Sequence, residues 1–200
     1  MLVAGLLALA RYRQLPAGLR YLALSVWLSM AVELASVILH KLKGSNLILI
    51  PLDAAGEVWL LSLLYAWALN SPWFSRLRPW LASGFVAYAG LSGVLAPEFT
   101  RFKTGVLVVD GLALMLFAGL YYRKLLNELL VLRLGRDPMF WVSSGLMLYA
   151  LGKLLISLFG NYMLEHYSQQ LSLTVWTIHG LLTIVLYLCY LRALWLRPQK

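Results

Sequence analysis

Six ionisable side chains lie within apolar segments of this 200-residue chain, where a charge is unfavourable unless it meets a partner or water. Two of them, Asp53 and Glu57, are four residues apart and would share one face of a helix. Carboxylates combined with a lysine and an imidazole can bind a small cation, exchange protons or hold a polar ligand. The full set is Glu33, Asp53, Glu57, Asp110, Lys153 and His179.

Other polar side chains repeat at helical spacing in the same segments. Helices turn such stripes toward one another, because a polar stripe that faces lipid is unfavourable. The stripes therefore predict that several helices share one polar interior. Their members are Ser25, Ser29, Glu33, Ser36 and His40; Gly145, Tyr149, Lys153, Ser157 and Asn161; and His179, Thr183, Tyr187 and Tyr190.

The segments that must position these side chains are long and apolar. The chain is 62% hydrophobic and 12% charged, with a mean hydropathy of +0.78, whereas soluble domains are about 25% charged. Since about 20 helical residues cross the hydrocarbon core, the sequence predicts an all-α, polytopic transmembrane bundle of six to seven helices in a single domain, 1–200. The predicted segments are 2–10 (too short to span, hence a partial first helix), 21–40, 47–69, 79–95, 105–122, 139–164 and 173–196.

The basic residues predict the orientation. Of the 17 Lys and Arg residues, twelve fall on one side when alternate loops are followed, four fall on the other, and Lys153 lies inside a segment. Because cytoplasmic loops are enriched in Lys and Arg, we expect a multi-pass protein of the inner membrane with a cytoplasmic C-terminus. The same asymmetry explains the net charge of +9 without a nucleic-acid partner.

With this topology the six ionisable groups fall between the midplane and the outer surface. We therefore expect an outward-facing polar pocket in which Lys153 pairs with one carboxylate, either Glu33 or Asp110. Four acids oppose one lysine, so protons or a bound cation are expected to offset the excess. The expected ligand-binding residues are Glu33, Asp53, Glu57, Asp110, Tyr149, Lys153 and His179.

Several classes of enzyme and cofactor protein are disfavoured by missing motifs. The sequence has no phosphate-binding glycine loop, no G-x-S-x-G and no H-E-x-x-H. A retinal protein would need a lysine in its last helix, which has His179 instead. A metal-dependent membrane hydrolase remains an alternative, although His179 is the one histidine well inside a segment. We expect no cofactor, no bound metal and no catalytic residue, and Cys189 is expected to be a packing residue.

The connection 123–138 is rich in leucine flanked by Arg and Lys. Such a pattern favours an interfacial helix on an anionic membrane surface. The alternative is that the fifth helix simply continues beyond the membrane.

The run Asp137-Pro138-Met139-Phe140-Trp141-Val142, with Gly145 and Tyr149 beyond it, resembles small uncharacterised polytopic membrane proteins of bacteria, as do Glu57 and the stretch 176–179. More distantly, the chain resembles the seven-helix sensor regions that precede histidine kinases. The resemblance implies a membrane sensor without supplying functional residues. Because no kinase domain follows Leu196, we expect signalling output to pass to a separate protein at the cytoplasmic face.

These observations favour a non-enzymatic membrane receptor or accessory sensor for a small polar or cationic ligand. A small proton-coupled solute carrier is the main alternative, with Glu57 or Asp53 as the coupling carboxyl. Membrane lipids are the other expected partners.

Overall fold

The computed structural model describes residues 1–42, 49–95, 104–128, 134–166 and 169–196, and the regular secondary structure in these ranges is entirely helical. The predicted all-α class is therefore confirmed. Two short 3-10 turns, Tyr12–Gln14 and Leu134–Arg136, accompany seven α-helices in the described ranges. The α-helices are α1 (Leu2–Arg11), α2 (Ala17–Lys41), α3 (Leu49–Leu69), α4 (Pro72–Leu95), α5 (Thr104–Glu128), α6 (Pro138–His166) and α7 (Gln169–Trp195).

Five of the helices are long and apolar enough to cross a membrane. They correspond to the predicted segments 21–40, 47–69, 105–122, 139–164 and 173–196. The predicted segment 79–95 also lies in a helix, α4, but this helix begins at Pro72 and includes Arg76 and Arg78, so it is less apolar than the other five. The apolar stretches within the five helices are Ala17–Leu39, Leu49–Leu69, Thr104–Glu128, Pro138–Leu158 and Thr177–Trp195.

The sequence predicted either an interfacial helix or a continuation of the fifth helix in the connection 123–138. The described part of this connection continues the fifth helix. Residues Arg123 to Glu128 continue α5 without a break. Residues 129–133 lie outside the described ranges, and the Leu134–Arg136 turn leads directly into α6.

Each of the seven α-helices in the described ranges packs against at least two others. α6 contacts α5 and α7, α3 contacts α2, α4 and α5, and α1 contacts α2 and α7. At several contacts a glycine brings two helix backbones close together. At Gly145 of α6, for example, an added Cβ would lie 2.7 Å from the Cβ of Cys189 in α7.

One end of the bundle gathers the ends of α1, α3, α5 and α7 and the starts of α2 and α6, and we call it the basic end. The Lys124 ammonium donates hydrogen bonds to the carbonyl oxygens of Ala68 (3.0 Å) and Leu69 (2.9 Å) at the end of α3. The Arg11 guanidinium donates to the carbonyl oxygen of Trp195 (2.7 Å). These bonds satisfy carbonyls that a helix leaves without partners at its C-terminus. Basic side chains at this end include those of Arg11, Arg20, Lys124, Arg136 and Arg192.

Asp137 stabilises the start of α6 at the basic end. Its carboxylate accepts hydrogen bonds from the backbone N–H groups of Met139 (3.2 Å) and Phe140 (3.1 Å) and from the Tyr121 hydroxyl. We expect Asp137→Ala to lower the free energy of unfolding by about 1–2 kcal/mol, because it removes an N-cap. Asp137→Asn keeps a capping oxygen and should lose less. Denaturant titration in mixed micelles would measure both, and equal losses would contradict the capping role.

Candidate functional site

Three ionisable side chains from three helices meet inside the bundle. The Lys153 Nζ atom of α6 lies 3.2 Å from Glu57 Oε2 of α3 and contacts Asp110 Oδ2 of α5. Exposed fractions are 0% for Asp110, 8% for Glu57 and 9% for Lys153, so water has little access to the charges. We call Glu57, Asp110 and Lys153 the ion triad.

A glycine allows α5 and α6 to approach closely at this point, and a second lies where α3 packs against α2. An added Cβ at Gly111 would lie 2.8 Å from the Leu154 side chain, and one at Gly56 would lie 2.1 Å from Leu28. The first contact joins the sequence neighbours of Asp110 and Lys153, and therefore fixes α5 and α6 where these two residues can pair. Every member of the ion triad has an adjacent glycine in the sequence, namely Gly56, Gly111 and Gly152.

The position of the ion triad along the bundle follows from the helical rise. Glu57 precedes the end of α3 at Leu69, and Lys153 follows the start of α6 at Pro138, by intervals that correspond to about 20 Å at 1.5 Å per residue. The triad thus lies deep within the bundle, nearer the end opposite the basic end.

Half-buried polar groups surround the ion triad. Asp53 lies one helical turn from Glu57 and accepts a hydrogen bond from the Ser29 hydroxyl of α2 (3.2 Å). The Lys153 Nζ atom lies 5.4 Å from the centre of the Tyr149 ring, and the Tyr149 and His179 rings lie 5.6 Å apart. A cation over an aromatic face is stabilised by the ring quadrupole. The site therefore offers both carboxylates and an aromatic surface to a positive charge.

The charges within the site do not balance. Glu57 and Asp110 share a single ammonium, that of Lys153, and the half-buried Asp53 lies one helical turn from Glu57, so full ionisation would leave two negative charges in and beside the ion triad. Asp110 Oδ1 is also buried and has no hydrogen-bond partner among the described residues. Because an uncompensated buried charge is strongly unfavourable, protons or a bound cation must offset the excess.

Six of the seven predicted site residues lie in or around the ion triad, and Glu33 does not. Glu33 is exposed on α2, so its predicted pairing with Lys153 is wrong, whereas the predicted pairing of Lys153 with Asp110 is confirmed. Glu57 is a second partner that the sequence interpretation did not identify. Glu57, Asp110 and Lys153 each have a glycine as a sequence neighbour, and Glu33 has none. This difference could have separated the true partners of Lys153 from Glu33. The side chains of His40 and Asn161, two members of the predicted stripes, lie outside the described residues.

The described residues also bear on the hydrolase alternative. Within those ranges, no group of three or more His, Cys, Asp or Glu side chains is arranged to hold a metal ion. The one described cysteine, Cys189, packs against Gly145 rather than among the acids.

Comparison with models of known protein families found no match, and comparisons with curated proteins and with solved structures found none either.

Proposed function

We propose that this protein is a non-enzymatic membrane receptor or accessory sensor whose polar site binds a small cationic ligand. The observation that carries the proposal is the position of Lys153 between carboxylates of two other helices. The internal ion pairing and the excess of acid around it support this class of protein.

The Lys153 side chain supports a cationic ligand because it is itself an alkylammonium group bound by the site. Glu57, Asp110 and the Tyr149 ring already accept its charge. A ligand that carries a primary or quaternary amine would make the same contacts, with Asp53 as a further carboxylate. Such a ligand would either balance the excess acid or compete with Lys153 for it.

Competition with Lys153 provides a route for a signal. The ion triad ties α3, α5 and α6 together, so displacement of Lys153 would release α6 from its two neighbours. A ligand can shift this packing only if it binds one arrangement more tightly than the other. In this proposal a separate signalling protein at the basic end responds to the altered positions of α5 and α6.

The topology proposed for this function has six or seven spans in the inner membrane, with the C-terminus in the cytoplasm. It is supported by the gathering of Arg and Lys side chains at one end of the bundle, where Lys124 and Arg11 lie, and by the preference of basic loops for the cytoplasmic side. The ligand would then enter from the outer side.

Thermal unfolding of the purified protein tests the proposal. We would screen ethylamine, agmatine, choline and alkali-metal ions at neutral pH, because a ligand that binds only the folded protein raises the melting temperature. At least one organic cation is expected to stabilise the protein, and Glu57→Gln is expected to abolish the shift. Glu128→Gln is the matched control, since Glu128 lies at the far end of α5, and it should retain the shift.

Two results would contradict the proposal. One is the absence of stabilisation by every cation at concentrations up to the millimolar range. The other is an equal shift in the wild type and in Glu57→Gln, because the cation would then bind elsewhere.

A proton-coupled carrier is the second candidate function, and the excess of buried carboxylates over lysine favours it. Protonation of Glu57 or Asp110 would release one arm of the ion triad, which is the kind of event that couples a proton to a change in helix packing. Proteoliposomes with an acidic exterior should then accumulate a labelled cationic solute, and Asp110→Asn should not. Stabilisation by a cation without any such uptake would favour the receptor over the carrier.

A further inference from the structure

One arginine of α4 lies on the face that this helix turns toward the rest of the bundle. Buried side chains recur along α4 every three or four residues, and Arg78 falls in that series. The side chain is half-buried, and its Nη1 atom is buried without a hydrogen-bond partner among the described residues. A guanidinium is always charged and has only donor groups, so a buried nitrogen of this kind needs an acceptor. The series consists of Phe74, Arg78, Ala82, Phe85 and Ala89.

The described acidic side chains at the basic end are already engaged elsewhere. Glu128 Oε2 lies 3.8 Å from the Lys124 ammonium. The Asp137 carboxylate accepts hydrogen bonds from two backbone N–H groups of α6 and from the Tyr121 hydroxyl. Basic side chains thus outnumber acids at this end, and an anion that satisfies Arg78 would have to come from outside the described part of the chain.

The position of Arg78 along α4 matches the level of lipid headgroups in the proposed topology. The helix begins at Pro72, shortly after α3 ends at Leu69, and therefore at the basic end. Arg78 lies about 9 Å further along the helix at 1.5 Å per residue, and long side chains lean back toward the N-terminus of their helix. Trp73 and Trp80, on either side of Arg78 in the sequence, are 63% and 77% exposed. Exposed tryptophans are typical of the membrane–water interface, so the guanidinium can reach the level of the phosphate groups.

We propose that Arg78 binds the phosphate group of an anionic phospholipid at the basic end of α4. A phosphate can accept two parallel hydrogen bonds from one guanidinium, which would satisfy the buried nitrogen. The surplus of basic side chains, including the exposed Arg76, favours an anionic headgroup over a zwitterionic one. The acyl chains would lie along apolar side chains that α4 exposes beyond Arg78, such as Leu81 and Val86. This apolar surface favours a lipid over free phosphate as the source of the anion.

A phospholipid at this position would stabilise the start of α4 against its neighbours. Phe74 lies one helical turn before Arg78, and its ring packs edge-on against the ring of Phe117 in α5, with 5.9 Å between the ring centres. A headgroup bound to Arg78 would neutralise the charge on this otherwise apolar face and favour the packing of α4 on α3 and α5. The lipid site is independent of the proposed function, because α4 carries no member of the ion triad.

Thermal unfolding of the purified full chain in neutral maltoside micelles tests the lipid site. Phosphatidylglycerol, phosphatidylcholine and inorganic phosphate would be added separately at equal concentrations, since a ligand of the folded protein raises the melting temperature. We expect phosphatidylglycerol to raise it by at least about 3 °C more than phosphatidylcholine does, and inorganic phosphate to have little effect. Arg78→Gln is expected to lose most of this difference. Arg76→Gln makes the same charge change at an exposed position two residues away on α4, so it is the matched control and should keep the difference.

Several outcomes would overturn the lipid site. Equal losses in Arg78→Gln and Arg76→Gln would show that general attraction to a basic surface explains the effect. An equal shift with phosphatidylcholine would exclude recognition of an anionic headgroup, and an equal shift with inorganic phosphate would exclude a lipid as the ligand. If Arg78→Gln fails to fold, Arg78→Lys keeps the charge without the paired N–H donors and should lose roughly half of the difference, whereas an undiminished shift in Arg78→Lys would overturn the role of the guanidinium. The cation-induced shift that Glu57→Gln tests is measured separately, so either proposal can fail alone.

Discussion

Lys153→Met is expected to lower the free energy of unfolding by about 3–5 kcal/mol. The substitution keeps a side chain of similar length but removes the charge that Glu57 and Asp110 share. Asp110 is fully buried, so its carboxylate would remain in a low-dielectric interior without a partner. The loss reflects this unpaired charge rather than the intrinsic strength of the ion pairs. Unfolding in mixed micelles, followed by circular dichroism, would measure it.

Two controls show whether the effect comes from charge. The triple variant Glu57→Gln, Asp110→Asn and Lys153→Met leaves no charge in the triad and should recover most of the lost stability, because neutral replacement of a buried ion cluster is often close to neutral in free energy. Lys41→Met removes an exposed charge at the end of α2 and should change stability by less than about 0.5 kcal/mol. A triple variant as unstable as Lys153→Met would contradict the electrostatic explanation.

Gly145→Val is expected to cost about 3 kcal/mol, the second largest effect. An added Cβ at Gly145 would lie 2.7 Å from the Cβ of Cys189 and 3.5 Å from the Cα of Leu186. Both atoms are fixed to the backbone of α7, so no side-chain rotation can relieve the overlap. α6 and α7 would have to move apart, and overpacking of this kind costs 1–3 kcal/mol or more.

Gly180→Val is the matched control for this substitution. Gly180 lies on α7, and an added Cβ there would have no neighbour within 4 Å. Its effect should therefore stay within about 1 kcal/mol, set mainly by helix propensity. If both valine variants lost the same free energy, close packing of α6 on α7 would not be the cause.

Much of the fold could be predicted because apolar length and helical periodicity depend on local sequence. The partial first helix and the five long apolar helices fall where hydropathy indicates. The bounds of α4 were less predictable, since Arg76 and Arg78 lie near its start, where the exposed Arg76 side chain can still reach water. α5 continues to Glu128 for a similar reason: a helix can extend beyond its apolar part when its side chains are solvated.

The sequence could predict most of the residues that form the candidate site, but not which carboxylates pair with Lys153. A polar stripe shows which face of a helix is polar, but it does not show which helix lies opposite. Glu33 and Asp110 were therefore equivalent partners for Lys153 in the sequence, whereas close approach at Gly111 brings α5, and not α2, beside α6. Pairing depends on helix neighbours, which are set by packing across the whole bundle.

A double-mutant cycle between Lys153 and Asp110 tests the ion triad most directly. Lys153→Met, Asp110→Asn and the double variant would be unfolded under identical conditions, with a parallel cycle that replaces Asp110→Asn by Glu33→Gln. We predict a coupling free energy of at least about 2 kcal/mol for Lys153 with Asp110 and near zero for Lys153 with the exposed Glu33. Additive effects in the Lys153–Asp110 cycle would contradict a shared buried charge cluster and, with it, the proposed cation site.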